Sequence, residues 1–202
     1  MSEKTIIQRI LRGAVAALVA GVLLLPVAQA KDIPINVDFT GTGHYGVMPD
    51  PDPFALPPPN VVSADAKGSF GAMSTVIISN FVPQPPPAPV PRCKSPTHFY
   101  FLIGYANAVT SFKDGSQIFA RGELSDQGWM CLDPGTGEFF GESYGEFVGG
   151  AGRFEGAGGP YTSPFEGRNL YFPFVGVEPF PYGPEFALIS IKGSILGTVT
   201  FD

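Results

Sequence analysis

The feature that most constrains this chain is the stretch Tyr144–Gly167, YGEFVGGAGRFEGAGGPYTSPFEG, in which large aromatic residues alternate with glycines. A helix would need an apolar stripe at a 3.6-residue period and would lose stability at each interior glycine, so the stretch predicts two strands joined by a tight corner. Phe147 and Phe154 supply packing, while Gly149, Gly150, Gly152, Gly156, Gly158 and Gly159 admit positive φ, bulges and close approach of strands. This is the local chemistry of a sharply curved antiparallel sheet, and nothing in it requires catalysis.

The leading residues stand apart from the fold. Lys4, Arg9 and Arg12 precede the apolar run Ala14–Val27, and Ala28-Gln29-Ala30 matches a small-x-small cleavage pattern, which predicts a signal peptide over residues 1–30 and a single domain over 31–202. That run is short for a membrane span, and every later stretch is interrupted by Asp, Glu, Lys, Pro or Gly, so no integral membrane segment is expected in the mature chain. Of the 12 Lys/Arg and 18 Asp/Glu, Lys4, Arg9, Arg12 and Glu3 fall in the leader, leaving a mature charge of −8. Such a surface disfavours nucleic acid as a partner. Export places the chain in the periplasm or outside the cell, where the pair Cys93 and Cys131 most simply forms a disulfide. Buried free thiols and a catalytic cysteine are the alternatives; there is no CxxC spacing, and His44 and His98 give no reason to build a Cys-His dyad. A bridge would tie the loop after a proline run to a strand or corner across the sheet.

Apolar and polar residues alternate over Ile33–Thr40, predicting the first strand, with Gly41–Gly46 ending it. Prolines then exclude a helix or central strand near 49–59 and again near 83–91, and both stretches read as excursions. Strands are expected at Ser69–Val82, at Thr97–Phe112 with a bend near Gly104, and at Gln117–Leu124 after an Asp-Gly turn. Further strands are expected at Gly128–Leu132, Glu138–Val148 and Asn169–Val177, the last an edge or bulge because of Pro173, and Tyr161–Gly167 reads as the start of an excursion. Phe186–Phe201 closes the chain as one long strand or a hairpin. About eight strands with no helix in the mature chain predict an all-β fold, and closure into a single antiparallel eight-stranded barrel removes the open edges.

The run Phe147–Gly158, FVGGAGRFEGAG, resembles the glycine hairpin of exported bacterial proteins in the allene oxide cyclase/dirigent-like barrel superfamily, whose usual form is a GGTGRF-aGA-G run; Ala151 stands where Thr is common. Asp114-Gly115-Ser116, the Cys131–Pro134 turn and the terminal strand Gly193–Phe201 extend the resemblance over Gly68 to Asp202. The resemblance implies an eight-stranded antiparallel barrel, often self-associating in the plant members, so a homo-oligomer is among its expectations. Cyclase relatives cyclise a fatty-acid epoxide in a polar pocket and dirigent relatives steer coupling of phenolic radicals. The matching residues belong to the structural hairpin, so neither activity is carried over by a shared motif.

Three functions compete. A non-catalytic barrel binding a small apolar or amphipathic molecule would draw its lining from Phe99, Phe101, Phe119, Phe139 or Phe147. A cyclase- or dirigent-like enzyme would need an acid or polarising donor, for which Glu142, Glu146, Arg121 and Tyr144 are the candidates. Glu138, Glu142 and Glu146 share one strand face, facing either solvent or a wet cavity. A structural, self-associating envelope protein is the third. Metal and cofactor sites are not expected: the His and Cys residues lack ligand spacing, Asp50 and Asp52 alone make a poor calcium loop, and Gly149–Gly152 lacks the Lys-Ser/Thr of a phosphate loop. Ser63, Ser74 and Ser143 lie in no nucleophile elbow.

Overall fold

The computed structural model describes residues 32–45, 59–170 and 188–201. The expected signal peptide, most of the first proline-rich stretch and the expected strand beyond Leu170 lie outside the described residues. Within them the chain forms β1 (Ile33–Tyr45), β2 (Asn60–Gly68), β3 (Gly71–Pro83), β4 (Phe99–Phe112), β5 (Gln117–Glu123), β6 (Trp129–Leu132), β7 (Glu138–Ala151), β8 (Ala157–Asn169) and β9 (Leu188–Phe201). Two 3-10 turns, Leu124–Asp126 and Gly152–Phe154, complete the regular structure among the described residues.

Every pairing is antiparallel, and β1 pairs with both β2 and β9, so the sheet closes into the expected eight-stranded barrel. The short strand β6 is extra to the eight. It fills the same gap between β4 and β7 as β5: β5 pairs with β4 over Tyr105–Ser111, and β6 pairs with it over Phe99–Leu102. The 3-10 turn Leu124–Asp126 separates the two half-strands and interrupts that wall.

Several expectations change. β1 continues through the glycines to Tyr45, because Gly41 and Gly43 sit against the backbone of β2, where an added Cβ would come within 2.4–2.5 Å of the carbonyls of Ser63 and Val61. The glycines there permit pairing instead of ending it. β2 was absent from the sequence expectation. Tyr161–Gly167 is no excursion but the second half of β8, whose Pro160 and Pro164 point outward at positions that the register with β9 skips. The C-terminal segment is one strand. The expected bend at Gly104 is a bulge: Asn80 pairs with Tyr105 and Phe81 with Ile103, leaving Gly104 unopposed. The buried Asn80 side chain accepts a hydrogen bond from the Tyr105 N–H at 3.0 Å, and a Cβ at Gly104 would lie 2.4 Å from that acceptor.

The interior explains why aromatics and glycines alternate. Phe39 stands directly opposite Gly193, Phe139 opposite Gly167, Phe165 opposite Gly141 and Tyr161 opposite Gly145. In each pair the ring lies over the bare glycine, to the point that a Cβ added there would come within 2.4–2.8 Å of the ring or its hydroxyl. A narrow barrel accommodates large rings by leaving the facing position empty, which keeps packing dense without strain.

One end is sealed by the glycine hairpin. Phe154, 1% exposed, stacks on Phe112 with centroids 4.6 Å apart, Phe70 meets both edge-on, and Phe201 lies nearly parallel to Phe154 with centroids 6.4 Å apart. Arg153 covers this plug with its guanidinium 4.8–5.9 Å from the Phe70, Phe112 and Phe154 centroids, and pairs with Asp114. A second, smaller core lies outside the barrel. There Cys93, in the loop after the second proline run, bridges to Cys131 of β6, with Ala88, Tyr100, Trp129 and Phe140 packed around the sulfurs.

Candidate functional site

The barrel encloses a cavity of about 100 Å³, lined chiefly by Phe39, Ile77, Phe81, Ile103, Ile118, Met130, Phe139, Phe147, Phe165, Ile189, Ile191 and Ile195. None of the described residues lining it carries a formal charge. The volume is well under the roughly 300 Å³ at which drug-sized sites begin, and somewhat below a cavity of about 150 Å³ known to accept benzene. The rings that the facing glycines admit therefore fill most of the centre.

The polar lining is not scattered. Asn60 of β2 and Ser79 of β3 are direct cross-strand partners, and Thr110 follows on β4, where its hydroxyl donates to Thr75 Oγ1 at 3.0 Å. On the other side Ser143 of β7 and Ser163 of β8 are direct partners, joined by Tyr161, whose phenol is hydrogen-bonded to Ser143. In the eight-position ring the β2/β3 pair stands diametrically across from the β7/β8 pair. The walls between them are apolar, with Ile118 and Ala120 of β5 on one side and Ile189, Ile191 and Ile195 of β9 with Phe39 of β1 on the other. Tyr161 is the titratable group of this lining, and burial, more than a distant Asp126, holds its phenol above the ordinary tyrosine value. It is a neutral hydroxyl at physiological pH.

Sequence-predicted residues divide between inside and outside. Phe139 and Phe147 line the cavity. Phe101 instead packs edge-on to Phe81 toward the start of β4, Phe99 is 40% exposed at the first residue of that strand, and Phe119 takes the outward parity between inward Ile118 and Ala120. The carboxylate row takes the outward parity and stays out of the central cavity: Glu138, Glu142 and Glu146 alternate with inward Phe139, Gly141, Ser143 and Phe147, Glu138 and Glu146 being exposed and Glu142 half-buried.

All four residues considered for catalysis gather on the outer face around the interrupted wall. Arg121 pairs with Glu146 at 2.8 Å and Glu123 at 3.4 Å, and the Tyr144 hydroxyl donates to Glu142. Arg121, Glu146 and Tyr144 border an open depression of about 600 Å³ with Glu123, Asp126, Pro160 and Thr162. Here the carboxylates keep ion-pair or hydrogen-bond partners and solvent contact. The hydrogen bond to Glu142, with some desolvation, raises the Tyr144 pKa and keeps the phenol protonated, and the hydrogen bond to Glu146 raises that of Arg121 and keeps it cationic, so neither pKa moves toward neutral pH. General acid–base work at neutral pH calls for the opposite shift. Among the described residues no group of three His, Cys, Asp or Glu side chains is placed to hold a metal, and no helix is long and apolar enough to cross a membrane.

Sequence reasoning missed Asn60, Ser79, Thr110, Ser163 and Tyr161 as cavity groups. Single hydroxyls on strands carry no signal until register shows which of them face each other.

No protein-family model matches the chain, and no curated protein matches it. Among solved structures, the chain is similar to a pterocarpan synthase dirigent protein at 15% identity, with 89% of this chain and 94% of that chain covered and a TM-score of 0.33. The barrel assignment rests on the strand pairings of this chain itself.

Proposed function

We propose that this protein is an exported, non-catalytic barrel that binds a small, largely apolar molecule in its interior. The observation that carries this reading is the central cavity: apolar over most of its lining, uncharged, and supplied with a few hydroxyl and amide groups of the kind that orient a ligand. Its volume of about 100 Å³ restricts the guest to a small molecule or the end of a slender chain. The lack of charge in the lining, with the acidic candidates on the solvent side, favours binding over acid–base chemistry.

Export is part of the proposal. It rests on the basic, apolar and Ala28-Gln29-Ala30 sequence of the leader, with which a disulfide between Cys93 and Cys131 is consistent. Mass spectrometry of protein recovered from an exporting host should find a mature chain beginning at Lys31; a chain retaining the leader would overturn that part.

For binding, the test is a titration with straight-chain alcohols from 1-butanol to 1-octanol, followed by calorimetry and amide chemical shifts. Saturable shifts at residues around the cavity are expected, and they should vanish in Ala120→Phe, whose ring occupies the space. Shifts that persist unchanged in that variant would place binding elsewhere and refute the reading.

A further inference from the structure

The placement of polar groups says more about the guest than the cavity's volume does. Resting on the reading of the cavity as a binding site, the geometry points to a ligand with two polar ends: a short apolar body carrying a hydrogen-bonding oxygen at each extremity.

Asn60 and Ser79 are opposed on β2 and β3, and Ser143 and Ser163 are opposed on β7 and β8, each pair facing inward and each buried. Four strand positions separate the two pairs in a ring of eight, so they occupy opposite walls. Ser143 already has the Tyr161 phenol as a partner, so these groups do not demand a guest; what they offer is the further donor and acceptor capacity of hydroxyl and amide groups, which Val or Ala at the same positions would lack. A guest with one polar end satisfies one wall and lays its apolar end against the other. A guest with two polar ends satisfies both, and its middle lies between the isoleucines of β9 and Ile118 with Ala120 of β5. Both walls offer donors and acceptors and neither carries charge, so neutral oxygens such as alcohols or carbonyls fit, and carboxylates or ammonium groups do not.

The test compares 1,4-butanediol with 1-butanol on the intact protein, by calorimetry and by amide shifts around the cavity. The diol is the more water-loving of the two, and with only one polar wall its second hydroxyl would be buried without a partner, weakening it by about tenfold or more. With two polar walls the diol binds at least as tightly as the mono-alcohol. Ser79→Ala and Ser163→Ala should each weaken the diol roughly three- to tenfold, while 1-butanol stays within about twofold because it can turn to face the intact wall. Binding of 1-butanol about tenfold tighter than the diol would overturn the two-ended ligand while leaving the cavity reading intact. Equal weakening of both ligands by the two variants would do the same. If neither compound shifts the cavity residues, the cavity reading itself fails and the ligand class falls with it.

Discussion

Gly167→Ala tests the packing rule on which the barrel is built. An alanine Cβ there would sit 2.4 Å from Cζ and 2.8 Å from Cε2 of Phe139, and 2.3 Å from the Ser190 carbonyl oxygen, where ordinary contact is 3.4–4 Å. Phe139, only 3% exposed, would have to shift by about an ångström into its neighbours, and the β9 backbone would have to give as well. Overpacking of this kind costs about 1–3 kcal/mol, offset by about 0.4–1 kcal/mol from the smaller entropy of an alanine-containing unfolded chain. The net loss is about 1–2 kcal/mol, a fall in Tm of roughly 2–8 °C for a domain of this size. A control lies on the same strand: a Cβ at Gly158 meets nothing closer than Thr200 Oγ1 at 3.5 Å, so Gly158→Ala should match the parent or exceed it by up to about 1 kcal/mol. Guanidinium unfolding of the two variants under one set of conditions measures the difference. Adding Phe139→Leu to Gly167→Ala should cost less than the sum of the single changes, because the ring end that collides is gone. Equal stabilities for Gly158→Ala and Gly167→Ala would sink the claim that empty glycine positions make room for the rings.

Replacing Cys93 and Cys131 together by alanine opens a closure with a sequence separation of 38, which the chain-entropy relation values at about 4 kcal/mol; a loss under about 1 kcal/mol in chemical unfolding would show that the outer core holds without it. Burial raises the Tyr161 pKa in the folded state, so its contribution is fully present below the ordinary value of about 10 and is lost as pH rises through the folded value. Stability of the parent should therefore fall more steeply above pH ~10 than that of Tyr161→Phe, and parallel pH profiles would contradict the assignment. Hydrogen bonds from Ser116 lower the Asp114 pKa, that from the Gly135 N–H lowers Asp133, and Lys192 lowers Glu166, so these groups support the fold above the ordinary carboxylate pKa and lose that support as pH falls through their folded values. A set of Asp114→Asn, Asp133→Asn and Glu166→Gln should flatten the acid limb of the stability profile below pH ~4, and an unchanged limb would refute it. Arg121→Ala should leave the thermal midpoint close to that of the parent, since its ion pairs with Glu123 and Glu146 are exposed; a clear drop in thermal unfolding would indicate a role in the wall that the geometry does not provide.

Much of this architecture was readable from local pattern. The Asp-Gly turn, the glycine hairpin and the inward parity of Phe139 and Phe147 follow from residues close together in sequence. Gly104 announced its bulge as an interruption in an apolar strand. β2 escaped because its inward residues beyond Asn60 are Val62, Ala64 and Ala66, mostly small and weakly strand-forming, and only the facing strands show that small side chains are needed there. The continuation of β1 escaped for a related reason: Gly41 and Gly43 look like a stop in isolation and become close-approach positions only against β2. The cavity's polar walls were the least legible part. Ser143 and Ser163 lie 20 positions apart in the chain, and nothing local makes them a pair until the β7–β8 register does.

The seam between β1 and β9 has a consequence for how the chain acquires its fold. Around the rest of the ring each strand pairs with one nearby in sequence, so hairpins can form in order as the polypeptide grows, whereas Ile33 must wait for Val199. Until β9 is made, the nascent sheet is a curled ribbon with two unsatisfied margins, one of them the apolar-polar alternation of β1. A chain shortened by that single strand would thus be an adhesive ribbon, prone to pair with its own kind, and not a slightly smaller barrel.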